Sequence, residues 1–178
     1  MKMLSITALV VGLLTFASAA SADEPSPFGP GTVIEAYGRV AAAPDAAPLP
    51  AGVRFKIAFD VSRAAEAGSV NSGIESAARF LNLHAAAGVP TENIQLAIVV
   101  HGAAARDLTR PADAAPENPN AGLIAALSQH GVRIYLCGQT AAHYGISAAD
   151  LLPGVSMALS AMTEHALLQQ EGYTLNPF

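Results

Sequence analysis

His130-Gly131-Val132-Arg133-Ile134-Tyr135-Leu136-Cys137-Gly138 compresses a helix stop, a strand and a helix start into nine residues. Gly131 closes the helix that Asn120 opens, because glycine adopts at no steric cost the left-handed backbone on which helices commonly end. Residues 132–136 make a short strand ending directly at Cys137, and Gly138 lets the chain turn at once into a helical segment. Strand and helix alternating at this spacing predict right-handed crossovers and a mainly parallel sheet.

The alternation continues in both directions. Upstream, Val53, Phe55, Ile57, Phe59 and Val61 alternate with Arg54, Lys56, Ala58 and Asp60, the period of a strand. Ser72-x-x-Glu75 reads as a capping box opening a helix to about residue 87, with Ile74, Ala77, Ala78, Leu81 and Ala85 on one face and Gly88 and Pro90 as its stop. Residues 94–100 are continuously apolar, the mark of a strand buried on both faces. Residues 102–119 hold three prolines without a clean period and predict a long loop. Downstream, residues 140–144 predict one or two helical turns and 155–159 a fourth strand. Ser160 opens a helix to Gln170 that Gly172 stops, and 173–178 predict a last strand. The expected fold is α/β: a three-layer sandwich with a central, mainly parallel sheet of about five strands and helices on both faces.

At the N-terminus, Lys2 precedes an apolar run over residues 4–16, and Ala17-Ser18-Ala19 and Ala20-Ser21-Ala22 both fit the small-x-small cleavage pattern. The run is shorter than the about 20 residues a permanent span needs. Residues 1–22 are therefore expected to be a secretory signal, cut after Ala22 with Ala19 as the alternative. The product is then periplasmic, with no membrane span after cleavage. Residues 23–52 predict a Pro/Ala-rich arm with one short strand near 33–37, and residues 53–178 the α/β domain. The 156 residues that follow Ala22 can bury a sufficient core without disulfides.

Without Lys2 there are eight basic against fourteen acidic side chains, a net charge near −6, and no basic cluster. That argues against nucleic acid and anionic lipid as partners. The chain has no C-x-x-C pair, no G-x-G-x-x-G after a strand, no phosphate-loop lysine motif and no G-x-S-x-G elbow. Thioredoxin-type redox, dinucleotide, phosphate-loop and hydrolase-elbow chemistries lose their signatures.

Cys137 is the only cysteine. A lone exported thiol pairs with another chain, reacts, or is buried and inert. In a parallel sheet Asp60 and Ser62, His101 and Gly102, and Cys137 and Gly138 terminate three strands at one edge, where such sheets carry ligands and chemistry. The amides of the helix after Cys137 favour a thiolate, and Gly138 permits close approach. A reactive Cys137 would have to be partly exposed, beside the 102–119 loop and near His101. Asp60, His101, Gly138 and His143 accompany it as candidate binding residues. Cys137, His101 and His143 could make a three-ligand metal set, but Cys-x5-His is not a tight zinc spacing, so neither metal nor cofactor is expected. His84 and His165 lie within helices and read as structural.

The run 130–137 with the following Gly145-Ile146, and the tail from Ser160-Ala161-Met162 through Leu167-Leu168-Gln169-Gln170-Glu171-Gly172-Tyr173, resemble the DsrE/DsrF-like sulfur-reduction family. The resemblance covers residues 53–178. It implies a three-layer domain assembling as a homo-oligomer, trimer or hexamer, with sulfur donor and acceptor proteins or small sulfane-sulfur species as partners. In the sulfur-relay members, the cysteine matching Cys137 carries sulfur as a persulfide. Export and the additional arm depart from the family pattern, and some family subunits lack the cysteine. A non-catalytic homo-oligomeric binding module with an inert cysteine and a Cys/His metal-binding protein stand as alternatives.

Overall fold

A computed structural model describes residues 26–111 and 117–177, so the expected signal at 1–22 lies outside the described residues. The elements are β1 (Phe55–Val61), α1 (Ser72–Ala86), β2 (Ile94–Val100), α2 (Ala121–Gln129), β3 (Arg133–Cys137), α3 (Gly138–Tyr144), β4 (Val155–Ala158), α4 (Ala161–Gln170) and β5 (Thr174–Asn176). All five strands are parallel, in the order β4-β3-β2-β1-β5.

This order decides the layers. From β1 to β4 each crossover steps the same way across the sheet, so right-handed connections put α1, α2 and α3 on one face. The next connection returns from β4 to β5 at the other edge, so α4 lies on the opposite face. Two cores follow. Ile74, Leu81, Leu123, Leu127, Leu136 and Ala141 belong to the larger, and Ala58, Ala97, Val99, Leu168 and Tyr173 form the smaller one under α4. In β1 the alternation separates them: Phe59 and Val61 face the larger core while Ala58 is buried in the smaller.

Three local expectations are corrected. Helix α1 is capped by Asn71, not Ser72: its Oδ1 accepts from the amides of Gly73 (2.9 Å) and Ile74 (3.2 Å). Asparagine caps as well as serine, and here its Nδ2 also donates to Arg63 O (2.8 Å) and Asp107 Oδ2 (2.6 Å). Asn120 precedes α2 but leaves it uncapped, accepting instead from the Asn71 amide at 2.7 Å. The 102–119 segment is not all loop: Gly102–Leu108 coils as a 3₁₀-helix and buries Ala104, Ala105 and Leu108. Its residues 112–116 lie outside the described residues.

The arm differs most. No strand forms at 33–37; the chain bends there, and the nearest pairing is an isolated antiparallel bridge between Gly29 and Val40. Asn82 of α1 takes the role a partner strand would play. Its Oδ1 accepts from the amides of Val33 (3.2 Å) and Ile34 (2.8 Å). Its Nδ2 lies 2.9, 2.9 and 3.1 Å from the carbonyls of Ile34, Tyr37 and Gly38. Buried backbone groups must be paired, and one amide side chain pairs them while Ile34 enters the core. At Gly31 a Cβ would overlap the Asn82 amide, so only glycine lets the arm approach this closely.

Replacing Asn82 with Leu removes both halves of this clamp and strands buried polar groups. Urea unfolding should show a loss of about 2–4 kcal/mol. Trypsin should then cut at Arg39 while the 53–177 body remains folded.

Candidate functional site

Cys137 ends β3 and stands at the N-cap of α3, with Ala158 of β4 as its register partner. Leu136 points into the larger core, so alternation turns Cys137 to the α4 face. The loop from β4 into α4 closes over it. A Cβ on Gly138 would stand 2.5 Å from Ala158 O and 3.0 Å from Leu159 O, which is why glycine occupies the position. Gln139 Nε2 donates to Leu159 O at 3.3 Å. Cys137 is 5% exposed, so the partial exposure expected of a reactive thiol is not met: the start of α4 covers it.

The first amides of a helix have no partner within it. Those of Gln139 and Thr140 in α3 and of Ala161 at the start of α4 act on this sulfur. The thiol makes no capping hydrogen bond to α3, and the donors that favour its anion come from α3 and α4. Burial pushes the thiol pKa up, and the Thr140 amide and hydroxyl, then the Ala161 and Gln139 amides, pull it down. The donors prevail, and the pKa lies below the ordinary 9.0.

Asp60 and His101 also lie on the α4 face at the carboxyl edge. Asp60 pairs in register with Val99, and His101 follows Val100, whose partner is Leu136. His101 is therefore one position beyond the last paired residues, level with Cys137 on the neighbouring strand. Its Nε2 is bonded to Asp60 Oδ2 at 3.2 Å. The other Asp60 oxygen, Oδ1, meets His165 Nε2 of α4 at 2.8 Å. Burial raises the Asp60 pKa, but the bonds to His165 and then His101 outweigh it and hold the carboxyl below 3.8. Asp60 also lines a cavity of about 280 Å³ with Ser62, Arg63 and Ser72. A larger one, about 740 Å³, lies at the amino edge between arm residues 41–53 and the end of α1.

The proposed metal set does not assemble. His143 is exposed on α3 with its ring against Tyr144 at 4.8 Å, and His101 is engaged by Asp60. The reason is helical phase: Ala141 faces the core, and two residues on, about 200°, the chain points away. Among the described residues no group of three His, Cys, Asp or Glu side chains is arranged to hold a metal. His84 stacks on Phe80 at 3.9 Å. Sequence alone reads His165 as structural and does not single out Thr140. A signal for His165 existed: it lies four residues after Ala161, on the same face of α4.

Residues 56–177 match the DsrE/DsrF-like family. Among solved structures, the chain is similar to the protein of unknown function MTH1491 from Methanobacterium thermoautotrophicum, with 20% identity and a TM-score of 0.52 over 70% of this chain and 99% of that one. It is also similar to the ychN protein of E. coli, with 18% identity and a TM-score of 0.54 over the same shares. At such identities the likeness is one of fold. No curated protein matches the chain. No helix among the described residues is long and apolar enough to cross a membrane.

Two measurements check the electrostatics. Alkylation of Cys137 by iodoacetamide should rise with pH about a midpoint below 9.0. Thr140→Val, which deletes the hydroxyl and keeps the shape, should move that midpoint up by about half a unit to one unit. Asp60 has a folded pKa below its unfolded value of about 3.8, so its bridge contributes stability above that pH and loses it as pH falls through the folded value. Urea midpoints between pH ~5 and ~2 should fall for the native chain and flatten for Asp60→Asn.

Proposed function

Because the chain belongs to the DsrE/DsrF-like family, we propose that it is a periplasmic sulfur-handling protein in which Cys137 accepts and donates sulfane sulfur as a persulfide. The observation that carries this reading is the thiol placed where unpaired amides of two helices meet, with its pKa held down despite burial. In the first step the Cys137 thiolate attacks the outer sulfur of a donor persulfide. A new S–S bond forms, the donor's S–S bond breaks, and the donor leaves as a thiolate. In the second step an acceptor thiolate attacks the outer sulfur now on Cys137, and Cys137 departs as the thiolate. Sulfane sulfur passes from thiol to thiol, so each step balances without an external oxidant or reductant.

The amides act on both halves. They stabilise the attacking thiolate, and they stabilise the same anion when it leaves. Export rests on the signal grammar of residues 1–22, and a homo-oligomer, trimer or hexamer, on the family resemblance. Leu159 and Met162, 73% and 81% exposed at the start of α4, are the kind of apolar surface an oligomeric contact would cover. A second reading, a non-catalytic module with an inert cysteine, draws on the 5% exposure of Cys137.

Intact mass after incubation with polysulfide separates the two. The native protein should gain the mass of sulfur, and Cys137→Ser should gain none while keeping its fold and light-scattering mass. Sulfur uptake by Cys137→Ser, or none by the native protein, refutes the sulfur-carrier reading. Light scattering at micromolar concentration should report an oligomer, and a monomer alone would count against assembly.

A further inference from the structure

The donors around Cys137 differ in how they are held. Those of α3 follow the cysteine in the chain and cannot drift from it. The Ala161 amide belongs to α4, which leaves β4 three residues after Ala158, the register partner of Cys137, and whose pitch over the sheet from there depends on what docks it. Its N-terminal half rests on a small core in which Ala58 and Ala97 supply little contact area. Its far end is fixed independently. Arg133 bonds Glu171 at 2.6 Å and the Tyr135 hydroxyl at 2.8 Å, and Lys56 donates to Glu171 O at 2.9 Å. At the near end two polar ties reach the sheet, Glu164 to Arg133 at 3.9 Å and the closer His165 to Asp60 at 2.8 Å, and Asp60 is itself steadied by His101. His165 is 16% and Asp60 36% exposed, so the tie is partly shielded from water. His165 shares a face of α4 with Ala161.

We infer that Asp60 is a positioning residue for Cys137: by holding His165 it fixes the N-terminal half of α4 over the thiol, and His101 steadies the carboxylate in that task. This deepens the sulfur-carrier reading and rests on it for its biological meaning, but it concerns a property of the thiol that can be measured alone. Among the described residues, the charged or titratable groups on this face are Asp60, His101, His165 and Glu164 toward the near end of α4 and Arg133, Glu171, Lys56, Tyr135 and Tyr173 toward its far end, with Glu164 lying 3.9 Å from Arg133. Charge and position act on the thiol with opposite signs. Removing a carboxylate near a thiolate lowers the thiol pKa by simple electrostatics, whereas loosening α4 raises it by withdrawing a donor.

The test is the pH dependence of Cys137 alkylation in the full chain. Asp60→Ala and His165→Ala should each raise the thiol pKa by up to about one unit, a fall of up to tenfold in thiolate at neutral pH. His165→Gln, which keeps a donor for Asp60 without an ionisable ring, should restore most of the native value. A pKa that holds or falls in Asp60→Ala overturns the inference, as does His165→Gln behaving like His165→Ala. Should Asp60→Ala not fold, the two His165 variants decide the question from the helix side. The outcome is distinguishable from failure of the sulfur reading, because native protein that takes up no sulfur still has a thiol pKa to compare.

Discussion

The return of the chain from β4 at one edge of the sheet to β5 at the other is the constraint from which the site follows. Parallel strands must be joined by crossovers, and crossovers are right-handed. Three short steps in one direction place α1, α2 and α3 together. The single long step back forces α4 across the opposite face, where it packs against β2, β3, β4 and β5. Without that step Cys137 would end a strand on an uncovered face, with only α3 beside it. With it, the first amide of a second helix reaches the sulfur, and Asp60 and His165 come together from residues far apart in sequence.

The thiol is governed by a contest that position alone could not decide. Burial at the end of a central strand disfavours an anion, and unpaired helix amides favour it. The donors of α3, Thr140 first, together with the Ala161 amide of α4 outweigh burial and lower the thiol pKa, and the start of α4 covers the sulfur and limits access to it.

Much of the fold was legible because each element carried its own punctuation. The apolar run of β2, the glycine stops at 88, 131 and 172, and the Ser160 cap are local signals, and the elements fall within a residue or two of expectation. Three of the errors share one cause. Asn71, Asn82 and Asn120 each have a side chain able to satisfy distant backbone, and nothing in their neighbours says which backbone that is. Asn71 displaced Ser72 as a cap, Asn120 left its own helix to brace Asn71, and Asn82 held the arm in place of a strand. The candidate site was legible only in outline. Asp60, His101 and Cys137 were placed at one edge by counting strand ends, whereas His143 was admitted and His165 set aside because helix phase relative to the sheet was not known.

By itself the sequence determined the α/β class, the parallel sheet, and the presence of one thiol at a strand-to-helix junction, because period, punctuation and composition are local properties of the chain. The tertiary structure alone decided that α4 lies over Cys137, that Asp60 bridges two histidines, and that the thiol is buried yet biased toward its anion. Those outcomes depend on distances between residues up to 105 positions apart in the chain, which are set only when the crossovers close.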